Sequence, residues 1–167
     1  MTSERLDRAI ESLAVLDVFV RETSAWLAKG FDPKRHTGTP GVQVRHEAGS
    51  RIDILDGDEG EQIAVFPVST GVRLTERDNA SAGDGESGSP RILAELTATF
   101  VAEYRITTSS PPEHEALEEF AQMNVLYHVW PYWREYVQSM CGRLRLPEIM
   151  LPMFRLPEGH RRSTMSE

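Results

Sequence analysis

The chain is poor in cysteine, in long apolar runs and in positive charge, and each shortage closes off a class of function. A single cysteine, Cys141, excludes an intramolecular disulfide framework and cannot supply the paired thiolates of a structural zinc site. No stretch approaches the roughly eighteen consecutive apolar residues of a membrane span, and Glu4, Arg5, Asp7 and Arg8 leave no room for a signal peptide's apolar region. The expected location is the cytoplasm, with no membrane insertion. A net charge of -8 repels phosphates, so no nucleic acid is expected as partner. Glycine-rich phosphate loops and Gly-x-Ser-x-Gly elbows are missing too. Cys141 and His128 cannot serve as nucleophile and base, because their spacing puts them roughly 20 Å apart on a straight helix. His114 and Glu118 stand one helical turn apart, but two ligands make no metal site, and an exposed ion-paired face is the expected role. Neither enzymatic activity nor a cofactor is expected.

What is present describes one soluble, folded domain. At 167 residues, 40% apolar and 26% charged, the chain can bury a single core. Residues 1–13 place Leu6, Ile10 and Leu13 at helical spacing behind Ser3 as N-cap, predicting a short helix. From Ala14 the period changes, and Leu16, Val18 and Val20 alternate with Asp17, Phe19 and Arg21 in a strand that runs to about Leu27. Gly30 to Gly41, with Asp32-Pro33 and Pro40-Gly41, is a crossing loop. Val42 to Leu55 is a strand interrupted at Gly49, and Ile63 to Leu74 is another, in which Pro67 calls for an edge or a bulge. Residues 77–90 are too polar to order themselves and predict a mobile hairpin loop. The clearest strand is Ile92 to Ile106, with Ile92, Ala94, Leu96, Ala98, Phe100, Ala102, Tyr104 and Ile106 on a core face. Four strands without intervening helices predict an antiparallel sheet and an α+β fold.

Beyond Pro111-Pro112 the pattern turns helical. Leu126, Trp130, Trp133, Val137, Met140 and Leu144, spaced by fours and threes, form an apolar stripe, with Tyr132 and Tyr136 on a neighbouring face. That is more apolar surface than one sheet covers and predicts packing on two sides, one of them another subunit. Pro131 predicts a break or kink near Val129. The run Leu146-Pro147-Glu148-Ile149-Met150-Leu151-Pro152-Met153-Phe154 is apolar yet too rich in proline for a regular element, so it must lie extended on an apolar surface.

Trp130-Pro131-Tyr132-Trp133-Arg134-Glu135, followed by Val137, Ser139-Met140 and the 146–154 run, resembles the SecB family over about residues 124–154, and by strand order alone over 14–107. The resemblance implies a SecB-like domain over 14–154: a four-stranded antiparallel sheet against a long C-terminal helix, assembled as a homotetramer, a dimer of dimers. It implies an ATP-independent holdase for unfolded or export-destined polypeptides. The partner implied is the SecA motor or, in some relatives, an antitoxin protected by a dedicated adaptor. On this reading Phe31, Val42, Val44, Tyr132, Tyr136, Met153 and Phe154 line the client groove. Asp17, Leu93 and Glu95 meet the motor, while Trp130, Pro131, Trp133, Arg134, Glu135, Val137 and Met140 hold the assembly. The sequence departs from the family after Phe154, where 155–167 reads as a disordered tail in place of a second helix, which weighs against motor delivery.

Overall fold

The computed structural model describes residues 3–77 and 89–154. The loop expected over 77–90 lies largely outside them, and the tail expected over 155–167 lies wholly outside. The first helix, α1 (Glu4–Ser12), starts where its cap predicts: the Ser3 side chain accepts the amide of Leu6 at 3.1 Å. The same hydroxyl donates to the carboxylate of Glu119, tying α1 to the helical layer. Leu6 and Ala9 are buried, and Leu13 already opens a strand.

The sheet is antiparallel. Its strands are β1 (Leu13–Leu27), β2 (Gly41–Ala48), β3 (Asp53–Asp56), β4 (Gln62–Thr75) and β5 (Ile92–Ile106), in the order β1-β5-β4-β2 with β3 also on β4. Because β2 pairs with Val68–Thr75 and β3 with Gln62–Val65, the two are halves of one interrupted strand, and the sheet is four strands wide as expected. Residues 28–40 carry the chain from the β1 edge to the opposite edge, the crossing expected there. At the interruption Gly49 has φ 84°, and a Cβ there would stand 3.2 Å from that of Ala121, so glycine serves both the turn and the close approach of a helix. Pro67 is neither on a sheet edge nor in a bulge. It lies in β4 opposite the gap between Ala48 and Asp53, where no strand asks for its missing N–H.

Along β5 the expected core face from Ala94 to Ile106 is buried against helices. Two residues depart from the alternation. Val101, on the opposite face, is buried between Phe19 and Pro67, its register partners. Leu93 is the extra residue of a bulge, since Leu74 faces Ala94 while Thr75 faces Ile92. The bulge turns Leu93 into the core, where it is 1% exposed. Two further bulges, between Val15 and Asp17 and between Val20 and Glu22, break the simple alternation expected for β1, which puts Val15, Val18 and Val20 on the helix side.

The helices follow without a gap: α2 (His114–Phe120), a π-helical turn (Ala121–Val125) and α3 (Leu126–Leu144). The break expected near Val129 is not there, for α3 runs through Pro131. An interior proline costs about 3 kcal/mol, but Val129, Trp130 and Trp133, buried around it, each contribute roughly 1.5–3 kcal/mol or more. Packing wins. The irregular turn lies upstream, where the helix passes Gly49. Arg145, in the left-handed region at φ 57°, ends α3. The 146–154 run then folds back onto the core, with Leu146, Ile149 and Leu151 buried and Met150 and Met153 facing out. Trp130 Nε1 donates to the carbonyl of Pro152 at 2.7 Å and pins the run to the helix.

A polar contact joins the layers: Tyr104 Oη lies 2.8 Å from His128 Nδ1. Burial raises the Tyr104 pKa far above its ordinary value and lowers that of His128, so both groups stay neutral and share one hydrogen bond. The folded state therefore holds His128 less protonated than the unfolded chain, and that contribution to stability is present above about pH 6.5 and lost as pH falls through the folded-state pKa. The urea midpoint of the wild type should drop between pH 7.5 and pH 5.5 by more than that of His128→Asn. Equal drops would remove His128 as the cause.

Candidate binding groove

The groove candidate is built from one sheet edge and the returning run. On β2 the residues Val42, Val44 and His46 pair with Leu74, Val72 and Thr70, all buried on the helix side, so they share that face. No neighbouring strand continues the sheet past β2 among the described residues, and Val42 and Val44 are 51% and 43% exposed. Beyond them three rings meet: His46 stands edge-on to Trp130 at 5.8 Å and to Phe154 at 6.5 Å, and Trp130 and Phe154 are 5.6 Å apart. Phe154 is half-buried there, and Met153, beside it, is exposed and takes an N–H of Arg134 on its sulfur at 2.8 Å. The arrangement offers an apolar strip beside an unpaired strand edge. Its chemistry is that of binding an extended chain through main-chain contacts and loosely specified apolar side chains.

Not every expected residue joins this strip. Tyr132 is 50% exposed on α3, while Tyr136 stacks on Trp133 and is half-buried. Phe31, in the crossing loop, stands edge-on to His36. Among the described residues no ring contact links these three to the Trp130 cluster. Trp133 and Val137 are fully buried, Met140 is partly so, and Pro131 is exposed. Arg134 and Glu135 form no ion pair among the described residues, and Glu135 is exposed. Asp17 and Glu95 lie on the sheet face away from the helices. Leu93 does not join them, because the bulge buries it, so it cannot meet a partner as expected. His46 was not anticipated, although its spacing from Val42 and Val44 marks the same face.

Burial pushes the Cys141 thiol up, away from thiolate, and His114 Nε2 lies 3.4 Å from Glu118 Oε1 on the surface, the ion-paired face expected of them. Among the described residues no group of acidic, histidine and cysteine side chains is set to hold a metal. No helix among the described residues is long and apolar enough to cross a membrane.

No protein-family model matches the chain, and no curated protein does. Among solved structures it is similar to the Mycobacterium tuberculosis Rv1957 SecB-like chaperone in complex with a ChAD peptide from the Rv1956 HigA1 antitoxin. The TM-score is 0.65 at 19% identity, over 92% of this chain and 99% of that one. Sheet order, the long C-terminal helix and this likeness agree: the fold of the chain is SecB-like.

Proposed function

We propose that this protein is an ATP-independent chaperone that holds unfolded polypeptides in the strip formed by Val42, Val44, Trp130, Met153 and Phe154. The observation that carries the reading is the exposed apolar face of β2 beside the Trp130, His46 and Phe154 rings. Burying such surface contributes about 25 cal/mol per Å², so one site is weak and several sites on one assembly bind by avidity. Tyr132, Tyr136 and Phe31 extend the client surface on this reading. The test is suppression of aggregation of a slowly folding client without nucleotide. Lack of protection at stoichiometric amounts ends the reading.

A second reading, a dedicated adaptor for one partner, is favoured by the antitoxin peptide bound to the similar structure. Co-purification separates the two: many unfolded clients mark a general holdase, one dominant partner an adaptor. Delivery to the SecA motor would use Asp17 and Glu95 without Leu93.

The assembly proposed is a dimer of dimers. Strand β1 is fifteen residues long, pairs only with β5 among the described residues, and exposes Val15, Leu16, Phe19 and Val20. A long, apolar, unpaired edge is covered by a second copy or aggregates. Val15→Lys with Val20→Lys should lower the mass read by light scattering at least two-fold while the circular dichroism spectrum is kept. An unchanged mass would place the interface elsewhere.

A further inference from the structure

The sheet face away from the helices carries a feature that client binding does not use. Gly71 sits in the middle of β4, an inner strand, with no positive φ to require glycine. Glycine inside a strand weakens it and marks a close approach. What approaches is Arg45: a Cβ on Gly71 would lie 2.8 Å from Arg45 Nε and 3.1 Å from its Cγ, so the Arg45 side chain lies flat across the glycine. Arg73, two residues along the same face, gives its Nε to Gln43 Oε1 at 2.6 Å. Neither arginine has a carboxylate within ion-pair distance among the described residues. Between them opens a cavity of about 220 Å³, lined also by Gln43 and Glu95.

The register extends the site across the sheet. Gln43 pairs with Arg73, Arg73 with Glu95, and Glu95 with Trp26, one row over four strands. Trp26, at its far end, is exposed. From Arg73 to Trp26 is two strand spacings, roughly 10 Å, the reach of about three extended residues. We infer that this face binds an extended peptide that sets one carboxylate between Arg45 and Arg73 and an apolar side chain, three residues on, against Trp26. Planar guanidinium groups match a carboxylate with paired charge-assisted hydrogen bonds, and among the described residues these two have no carboxylate partner, only the Gln43 amide oxygen on Arg73.

The experiment uses the full chain and fluorescence anisotropy of labelled GSEEQLGS, with GSQQQLGS as the uncharged control. The acidic peptide should bind at least about ten-fold more tightly than the control, less so at high salt. Arg45→Gln with Arg73→Gln should erase the difference, and Gly71→Ala, which keeps both charges but displaces Arg45, should reduce it several-fold. Melting temperature and aggregation suppression should stay as in the wild type for the double variant, since the client strip is on the other face. Equal binding of the two peptides, or a preference that survives the double variant, overturns the inference. So does complete displacement by inorganic phosphate with no effect of Trp26→Ala, which would mean a simple anion site.

Discussion

Replacing Tyr132 and Phe154 together by alanine should abolish protection of an unfolded client while the protein stays folded and assembled. Phe154 contributes to the ring cluster on the open side of β2, and Tyr132 is a half-exposed ring on the same helix as Trp130. Neither is fully buried, so their loss opens no large cavity in the core. Two aromatic contacts of roughly 0.5–1.5 kcal/mol each, beyond the area they bury, weaken one site by about ten-fold or more, and avidity multiplies the loss over a client that spans several sites. The measurement is light scattering of an aggregating client at equal assembly concentration. A variant of unchanged mass that protects as well as the wild type would move the client surface off both residues.

Trp133→Ala should have the largest effect on stability. Trp133 is the bulkiest of the fully buried side chains and stacks on Tyr136 at 5.8 Å between centroids. Truncating a buried tryptophan costs about 3–5 kcal/mol, a large share of the 5–15 kcal/mol that a domain typically has. Among the described residues its Nε1 has no hydrogen-bond partner, so Trp133→Phe forfeits no polar contact there and should lose only a fraction of that amount. Urea midpoints at one fixed protein concentration read both variants. An alanine variant as stable as the wild type would mean that the helix does not depend on this side chain for its seat on the sheet.

Much of this was legible in residue order. The period of two in β5 and the spacing by fours and threes in α3 report burial directly, because a strand or helix with one buried face must repeat its apolar residues at its own period. Gly49 and the crossing loop were legible for the same local reason, as turn chemistry. What escaped were events of a single residue. The bulge at Leu93 inverts the face of one side chain without changing composition, and that alone removed Leu93 from the partner surface. The seat of Pro67 depends on a gap in a different strand, and the π-helical turn lies against a glycine far away in sequence; neither leaves a mark in its own neighbourhood. The candidate strip was partly legible. Phe154 reaches the β2 edge at His46, on the face that Val42 and Val44 share, while the position of Tyr132 relative to them follows from a helix rotation that spacing alone leaves open.

The strand order has a consequence for how the chain comes to be. Strands β4 and β5 follow one another in sequence and can pair as soon as both are synthesised, but β1, the first strand made, pairs among the described residues only with β5, the last, from Leu13 against Ile106 to Leu27 against Ala94. Contacts between such distant segments form slowly, because a long loop must close before they reward it. Until the ribosome has delivered the fifth strand, the first has both edges open and its apolar residues uncovered. A protein of this topology thus passes through its own synthesis in the condition of the unfolded chains it is proposed to hold, and the strand then most in need of cover is the one proposed to be covered later by a second copy.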